Sequence, residues 1–400
     1  MSKGNAVIGQ SGGPTSVINS SLAGVVQGCR DVTDVDRVFG MRWGIEGFMA
    51  GRLVDLSAQS ADTIEGLRRT PSSVLGSSRH KLQEADFPVI LAQLRKHDVH
   101  TIFMIGGNDT MDTIHRVTEY AASEGYELRG VGVPKTVDND LYATDHTPGY
   151  PSAARYTALS VQQAGRLARD MQKVDQFTIY QSIGRDSGWL TAAGALAKRS
   201  AEDAPHLVYM PERTFDEERF LDDVADAHGR FGYVSIVCGE GLRYADGTPV
   251  SASRTTDKFS NVEFGAMGGA SVGLQLHRMI SDRFGWRGEF QVTESLPMCA
   301  IDRAVRSDLS EAYACGREAA RLAGDGASGV MVTIVRESLD PYRYSLGTAP
   351  LEDVAVHAKP MPDEMITEGG NFPSEAFFEY ARPLVGELPE YADLDFEPVE

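Results

Sequence analysis

A short polar segment, PKTVDND at residues 134–140, carries the side chains best suited to chemistry in this sequence. Lys135 can neutralise the charge of a phosphate, and one of the carboxyl groups, on Asp138 or Asp140, can act as a general base. The other carboxyl can hold a divalent cation through oxygen ligands. Phosphoryl transfer depends on charge stabilisation and an oriented hydroxyl more than on covalent chemistry. The segment therefore indicates phosphoryl transfer, although an ordinary exposed turn would tolerate the same residue types.

Two glycine pairs, at residues 12–13 and 106–107, indicate where a phosphate chain could bind. Each pair follows a strand-like segment and precedes a helical pattern. Paired glycines let the backbone approach a ligand closely, and a helix N-terminus offers free N–H groups and a positive dipole end. Each pair also has a purely structural interpretation, because such turns need glycine for steric reasons and Asp109 or Thr110 can cap a helix. Together the pairs favour a polyphosphate lying across the end of a sheet.

Apolar, β-branched runs alternate with helix-period segments along most of the chain. This alternation predicts an α/β fold, with βαβ units forming a mostly parallel sheet covered by helices on both faces. Ligands of open α/β sheets bind at the carboxyl ends of the strands, where several of these runs meet glycine or a turn residue. Helices are predicted over 16–28 and 111–125 and from about Pro151. The predicted strands are residues 6–10, 101–107, 128–134, 176–184, 206–211 and 233–241.

Composition limits the partners and the compartment. The 400 residues include 38 lysines and arginines against 57 aspartates and glutamates, a net charge of −19. Nucleic acids and anionic membranes need a positive surface, so neither is an expected partner. The 4 scattered cysteines suggest neither a disulfide scaffold nor a zinc site. Without a signal-peptide pattern or a long apolar run, we expect a cytoplasmic location.

The Walker A, protein kinase, HExxH and GxSxG signatures are absent from the sequence. Motifs between residues 12 and 241 instead resemble, in their order, the phosphofructokinase superfamily. They are GGPTSVIN at 12–19, LGSSR at 75–79, GGNDT at 106–110, PKTVDND at 134–140, SIGRDSGW at 182–189, APHLVYMPE at 204–212 and CGEG at 238–241.

The resemblance implies two Rossmann-like, doubly wound, mostly parallel sheet domains with helices on both faces. Residues 1–150 are expected to bind the phosphoryl donor. Residues 151–386 are expected to bind the sugar, with their C-terminal part packing back on the first domain, and 387–400 to form an acidic surface tail. The resemblance further implies reversible, magnesium-dependent phosphorylation of the 1-hydroxyl of fructose 6-phosphate, in glycolysis and gluconeogenesis, by a homodimer or homotetramer.

The resemblance also implies roles for individual residues. Asp138 matches the base that takes the proton from the sugar hydroxyl. Arg185, in an IGR motif where the family usually has MGR, would face the transferred phosphoryl group, and Glu240 would bind sugar hydroxyls. The expected residues are Lys135, Thr136, Asp138 and Arg185 for catalysis; Gly12, Gly13, Arg79, Gly107, Asp109 and Thr110 for the donor; Thr136, Asp138, Ile183, Gly184, Arg185, Glu240 and Arg303 for the sugar; and Asn108, Asp109 and Asp140 for the metal.

Two positions favour pyrophosphate over ATP as the donor. ATP-dependent members resemble GGDGS and PGTIDND at the second glycine loop and the polar segment, whereas pyrophosphate-dependent members resemble GGDDT and PKTIDND. This chain has Asp109 and Lys135 where the nucleotide-dependent members keep glycine. A carboxylate there adds bulk and like charge near the α-phosphate of a nucleotide, while a lysine supplies a cation for the free end of pyrophosphate. The alternative is that Lys135 only points into solvent.

The expected sugar-phosphate segment departs from the family pattern. Where the family resembles LGxxQR, this chain has SLPMCAIDR at 295–303, in which Arg303 keeps the arginine but Asp302 replaces the glutamine. Gln176 and Glu294 fall near positions where bacterial relatives receive arginines from a neighbouring subunit. A carboxylate beside a 6-phosphate is unfavourable. The cations that could compensate are Arg243, Arg306 and Lys359.

Other departures leave alternatives open. Asn108 stands where the family more often has an aspartate associated with magnesium, so water or other carboxylates could hold the ion. One alternative function is a pyrophosphate-dependent kinase of another sugar or sugar phosphate, such as sedoheptulose 7-phosphate. Another is a catalytically inactive relative that binds metabolites, against which the intact Asp138, Asp140 and Arg185 argue.

Overall fold

A computed structural model describes residues 4–32, 35–251 and 271–394 of the chain. In these ranges the strands form two sheets with helices packed on both faces, which confirms the predicted fold class. The strands are β1 Gly4–Gln10, β2 Val35–Met41, β3 Leu53–Asp55, β4 Val99–Gly106, β5 Arg129–Pro134, β6 Phe177–Ser182, β7 Leu207–Tyr209, β8 Val234–Gly239, β9 Gly288–Val292, β10 Val330–Ser338 and β11 Arg343–Pro350. The helices are α1 Ile18–Arg30, α2 Gly44–Met49, α3 Ala61–Leu67, α4 Asp86–Lys96, α5 Asn108–Ser123, α6 Tyr150–Asp170, α7 Trp189–Ala193, α8 Glu217–Phe231, α9 Val272–Phe284, α10 Arg306–Gly324, α11 Leu351–Val356 and α12 Glu375–Val385.

The first sheet is 7-stranded, in the order β11-β10-β5-β4-β1-β2-β3. Its inner strands are parallel, and β3 and β11 run antiparallel at the two edges. Successive side chains of a strand point to opposite faces: Phe103 and Ile105 pack with α1 and α10, whereas Ile102 and Met104 pack with α4 and α5. Because both faces are covered, the central strands are apolar throughout rather than alternating.

The second sheet is 4-stranded and parallel, in the order β7-β8-β6-β9. Tyr180 of β6 packs with α6, α7 and α12 on one face, and Ile179 packs with α8 and α9 on the other. Each strand predicted from sequence overlaps a strand of one of the two sheets. No helix in the described ranges is both long enough and apolar enough to cross a membrane.

The chain returns to the first sheet after completing the second. Strand β10 pairs with β5, and β11 pairs with β10. Helix α12 then packs in the core on one face of the second sheet. The division near residue 150 and the tail from residue 387 stay predictions. In the described part of that tail, Asp393 pairs with Arg166 and Arg169 of α6, while residues 395–400 lie outside the described ranges.

Candidate active site

The loops that follow β1, β4 and β5 lie side by side at one edge of the first sheet. In the parallel register, Gln10 pairs with Ile105 and Gly106 pairs with Pro134, so these strands end together. Beyond the strands, the Lys135 amide donates to the Gly106 carbonyl at 3.1 Å. The fold therefore brings together the segments in which the sequence indicated phosphate chemistry.

Gly12 turns the first loop with a φ of 74°, a left-handed value that favours glycine. A Cβ at this position would lie 3.3 Å from the ammonium nitrogen of Lys135, so the glycine also leaves room for that side chain. The Gly12 amide donates to the Ser78 carbonyl at 3.2 Å, and the Gly12 carbonyl accepts from the Ser77 hydroxyl. These bonds bring the LGSSR motif, which ends in the exposed Arg79, to the glycine loop.

Helix α5 begins directly at the second loop. Gly107 precedes its first residue, Asn108, and no side chain caps the helix, so the capping roles considered for Asp109 and Thr110 are wrong. Gly106 is needed for packing, because a Cβ there would lie 2.1 Å from the Thr110 hydroxyl oxygen. Asp109 is exposed and Thr110 is buried. The Asn108 Oδ1 atom is buried without a hydrogen-bond partner among the described residues, which leaves an oxygen ligand for a bound group.

Lys135 is buried, with only 3% of its surface exposed, so the alternative that it only points into solvent is wrong. Its ammonium group donates to the Gly13 carbonyl at 2.7 Å. Burial lowers the pKa of Lys135 to about 8, which the charges of Asp138 and Asp140 oppose and that of Arg79 reinforces. A desolvated cation at the end of the glycine loops is well placed to bind an anion.

The two carboxyls of the polar segment lie on the loop after β5. Burial, followed by the charges of Asp140 and Glu240, raises the pKa of Asp138 to about 7 against the effect of nearby cations. Burial also raises the pKa of Asp140. The Thr136 hydroxyl accepts from the Asp138 amide at 3.1 Å and so helps to shape the loop. A carboxyl with a pKa near neutrality is suited to general base catalysis at physiological pH.

The loops after β6 and β8 bring residues of the second sheet to Asp138. The Ser187 hydroxyl donates to the Asp138 carbonyl at 2.8 Å, and the Gly184 amide donates to Glu240 Oε1 at 3.2 Å. Burial raises the pKa of Glu240, and the charge of Arg185 opposes this shift. Arg185 and Glu240 both influence the pKa of Asp138. The predicted catalytic and hydroxyl-binding side chains, Arg185 and Glu240, therefore approach the loop after β5 from the second sheet.

The divergent segment at 295–303 reaches from α6 to the first glycine loop. Arg303 donates to the Ser160 hydroxyl at 2.9 Å, and its guanidinium lies 4.7 Å above the Tyr156 ring, both on α6. At the other end, a Cβ on Gly13 would lie 2.4 Å from the Met298 methyl carbon. The segment borders the site, but these contacts of Arg303 are with α6.

The three cations that could compensate for the divergent sugar-phosphate segment lie in different parts of the structure. The Lys359 ammonium donates to the carbonyls of residues 144–145 at 3.0 and 2.7 Å, and its amide donates to the Asp140 carbonyl at 2.7 Å. Arg243 lies 3.9 Å from an exposed carboxylate, and Arg306 is the exposed first residue of α10. Lys359 therefore contacts the loop after β5, which carries Asp138 and Asp140.

Some residues of this site had no role assigned from the sequence. Ser187 donates to the Asp138 carbonyl, and Asn139 accepts from the Thr147 amide. Both residues lie inside motifs that resemble the family, and this is the sequence signal that points to them. Ile183, predicted to bind the sugar, is half-buried and packs against the core of the second sheet. Its predicted contact with the sugar stays a prediction.

The oxygen atoms at the site fit a magnesium ion that is shared with a phosphate ligand. Among the described residues, no group of three or more His, Cys, Asp or Glu side chains could hold a metal alone. Mg²⁺, however, usually keeps several waters and uses one or two carboxylates together with substrate phosphates. The unpartnered Asn108 oxygen and the Asp140 carboxylate, on adjacent loops, provide ligands of that kind.

Comparison with known families agrees with this geometry. A family model described as phosphofructokinase matches residues 5–294, a range that contains the glycine loops, the loop after β5 and the loops after β6 and β8 but ends just before the 295–303 segment. The chain belongs to the phosphofructokinase family. The resemblance inferred from the motifs is therefore confirmed.

Relatives of this phosphofructokinase match it over nearly its full length. A pyrophosphate–fructose 6-phosphate 1-phosphotransferase of Methylococcus capsulatus is 37% identical over 410 residues, covering 98% of this chain and 96% of the relative. A crystal structure of a pyrophosphate-dependent phosphofructokinase from Marinobacter aquaeolei aligns with a TM-score of 0.87 and 34% identity, covering 98% and 94% of the two chains. A sulfofructose kinase of Alkalicoccus urumqiensis is 33% identical over 363 residues, 90% of this chain and 91% of that relative. The predicted resemblance to pyrophosphate-dependent members is also confirmed.

Proposed function

We propose that this phosphofructokinase transfers a phosphoryl group from pyrophosphate to the 1-hydroxyl of fructose 6-phosphate, reversibly and with magnesium. The observation that carries the proposal is the buried ammonium of Lys135, which lies between the first glycine loop and the carboxyls of the loop after β5. Full-length relatives named for this activity support it. The reaction would belong to glycolysis and gluconeogenesis.

The two glycine loops and Lys135, which would bind the donor, favour a short anion with charge at both ends. Lys135 supplies a cation next to Gly13, while Asp109 places a carboxylate in the first turn of α5. A nucleotide, whose α-phosphate continues into a ribose, would meet this extra bulk and like charge. We assign the donor to the backbone and side chains of Gly12, Gly13, Arg79, Gly107, Asp109 and Thr110.

Asp138 is the general base in this proposal. It accepts the proton of the sugar 1-hydroxyl while that oxygen bonds to the transferred phosphorus atom, and the bond from phosphorus to the bridging oxygen of pyrophosphate breaks. Inorganic phosphate leaves. Lys135 and Arg185 offset the charge of the group in transfer, Glu240 binds sugar hydroxyls, and Thr136 keeps the loop in shape.

Magnesium would be held by Asn108, Asp109 and Asp140, together with phosphate oxygens and water. When bound, the ion neutralises the charge of the phosphates and helps to align them. An amide at Asn108 removes one negative charge compared with an aspartate. We therefore expect a larger share of the ion's ligands to come from Asp140, phosphate and water.

Specific observations favour a second acceptor. Asp302 is exposed beside Arg303, and the Arg303 guanidinium contacts α6, so the cations expected to bind a 6-phosphate are few. A relative named sulfofructose kinase covers most of the chain. The second candidate is a kinase of another sugar or sugar phosphate, such as sedoheptulose 7-phosphate or sulfofructose.

A donor and acceptor matrix tests both candidates. Pyrophosphate or ATP is combined with fructose 6-phosphate, sedoheptulose 7-phosphate, sulfofructose and unphosphorylated fructose, each with and without magnesium. The highest kcat/KM is expected for pyrophosphate with fructose 6-phosphate. ATP outperforming pyrophosphate would contradict the donor, failure of fructose 6-phosphate alone would favour the second acceptor, and no turnover with any pair would favour an inactive relative.

We further infer, from the resemblance, a cytoplasmic homodimer or homotetramer with a donor domain at 1–150 and a sugar domain at 151–386. Light scattering on the purified protein measures the oligomer directly. A single species with the mass of one chain would contradict the expected assembly.

A further inference from the structure

The Tyr380 side chain of the C-terminal helix α12 makes a hydrogen bond to the candidate catalytic loop, residues 135–140. Asn139 lies between Asp138 and Asp140, is fully buried and has a φ of 57°, which is uncommon outside glycine. Its Nδ2 atom donates to the Tyr380 hydroxyl at 2.8 Å. That hydroxyl donates in turn to the Asp145 carbonyl at 2.8 Å. The phenol oxygen therefore links the loop to the chain that follows it.

Tyr380 is itself held by two neighbours. Arg336 of β10 donates to the Tyr380 carbonyl at 2.9 Å, and its guanidinium lies 4.6 Å above the Tyr380 ring. The same guanidinium donates through two nitrogens to the Asp145 carboxylate at 3.0 and 2.9 Å, a geometrically specific pair. The Trp189 ring, which follows the IGR motif, lies 5.0 Å from the Tyr380 ring. The hydroxyl therefore has little freedom to leave Asn139.

Core packing alone does not explain the hydroxyl of Tyr380. A phenylalanine would fill the same space, but it would leave the buried Asn139 Nδ2 without this partner, which is costly. The Asp145 carbonyl would keep its bond from the Lys359 ammonium at 2.7 Å. The other end of the Asn139 amide is also fixed, because Oδ1 accepts from the Thr147 amide at 3.0 Å. Asparagine adopts the left-handed conformation more readily than most residues, but still less readily than glycine, so these hydrogen bonds help to hold Asn139 there.

We propose that Tyr380 is a positioning residue, which acts through Asn139 to hold the carboxyls of Asp138 and Asp140 in place for phosphoryl transfer. The inference rests on the proposed function, in which Asp138 is the base. A small displacement of a reacting group slows chemistry strongly. Because the glycine loops and the loops after β6 and β8 bind the substrates, losing the hydroxyl should lower kcat more than it changes KM.

The test compares Tyr380→Phe with the control Tyr126→Phe. The Tyr126 hydroxyl also donates to a backbone carbonyl, that of Val99, at 2.8 Å, but this bond lies at the other end of β4 from the site. Tyr380→Phe should lower kcat by roughly 10- to 100-fold, with KM values within about twofold of wild type, while Tyr126→Phe keeps the wild-type kcat. In an Asn139→Ala background, Tyr380→Phe should have almost no further effect, because the two residues act as one unit. If the Tyr380→Phe chain does not fold, Asn139→Ala removes the same bond from the other side and should lower kcat by at least as much, because it also loses the bond from the Thr147 amide.

The assays use the donor and acceptor with which the wild type is most active. An unchanged kcat in Tyr380→Phe, an equal loss in Tyr126→Phe, or a full further loss in the Asn139→Ala background would each overturn the role of Tyr380. A wild type that turns over none of the substrate pairs overturns the proposed function instead, and this inference with it. The two failures are therefore distinguishable.

Discussion

Lys135 donates its ammonium to the Gly13 carbonyl at 2.7 Å, and this bond joins two loops whose residues are 122 positions apart in the chain. Burial has removed most of the water that would otherwise solvate this cation. The lowered pKa of Lys135, about 8, reflects that loss. A phosphate ligand at the glycine loop would restore favourable interactions to the ammonium group, which supports the proposed role of the lysine in phosphoryl transfer from the donor.

Lys135→Met should lower kcat/KM for pyrophosphate by about 100-fold or more, because it removes a preorganised cation from a desolvated site. The KM for the acceptor should change much less. Lys81→Met, at an exposed lysine near the LGSSR motif, is the matched control and should behave as wild type. Steady-state kinetics with each substrate varied separately measures both effects. Equal losses for donor and acceptor would argue for a general structural role.

Asp138→Asn should abolish nearly all turnover and stabilise the fold. A general base contributes about 10²- to 10⁴-fold to the rate, so kcat should fall by at least about 100-fold. The raised pKa of Asp138, about 7, means that the folded state binds this proton more tightly than the unfolded state does. Stability from this group therefore decreases as pH rises from its ordinary pKa towards 7. At pH 8 the variant should be more stable by roughly 1 to 3 kcal/mol.

Denaturant unfolding of Asp138→Asn at pH 4.5 and at pH 8 measures this effect. The gain in the free energy of unfolding should be small at the lower pH, where the carboxyl of the folded wild type is protonated. Asp112→Asn, which removes an exposed carboxylate on α5, should show no such pH-dependent gain. Wild-type turnover by Asp138→Ala or Asp138→Asn would rule out the proposed base.

The sequence predicts the loops of this site better than it predicts the contacts between them. Asp138 and Lys135 share one short motif after a strand, so their proximity follows from parallel-sheet topology. Lys359 and Tyr380 reach the same loop from more than 200 residues away, and only tertiary packing decides which distant side chain arrives there. Arg303 shows the converse, because its motif predicts a ligand while its guanidinium contacts α6.

Asn108 should affect metal binding more than donor binding. Its Oδ1 atom is buried and unpartnered in the described structure, so Asn108→Ala should raise the magnesium concentration needed for half-maximal activity by about 10-fold or more. Asn108→Asp adds a negative charge and should lower that concentration. Titration of Mn²⁺ followed by electron paramagnetic resonance, in the presence of phosphate, gives a readout independent of turnover. The control Gln83→Ala should keep the metal affinity of wild type. If both Asn108 variants also kept it, Asn108 would be excluded as a ligand.

A buried histidine, His146, connects the catalytic loop region to α10. Its Nδ1 and Nε2 atoms lie 2.8 Å from carboxylate oxygens of Asp145 and Glu311. Arg336 also pairs with Asp145, and the Tyr342 hydroxyl donates to Glu311. Burial alone would lower the pKa of His146, but hydrogen bonds to the two carboxylates and their charges outweigh burial and raise it.

The raised pKa of His146 predicts a pH-dependent contribution to stability. The folded state binds this proton more tightly than the unfolded state, so the stabilisation is complete below the ordinary histidine pKa of about 6.5 and is lost as pH rises through the folded-state value. The free energy of unfolding of wild type minus that of His146→Gln should therefore fall as pH rises above 6.5, by at most about 1.4 kcal/mol per pH unit, the slope for one proton. Taking this difference cancels groups common to both proteins, including Asp138 and Lys135. The control is His115→Gln, which replaces a histidine beside Glu119 on the surface of α5. Its free energy of unfolding should change with pH as that of wild type does. A difference that stays constant from pH 6 to pH 9 would mean that His146 does not change its proton affinity on folding.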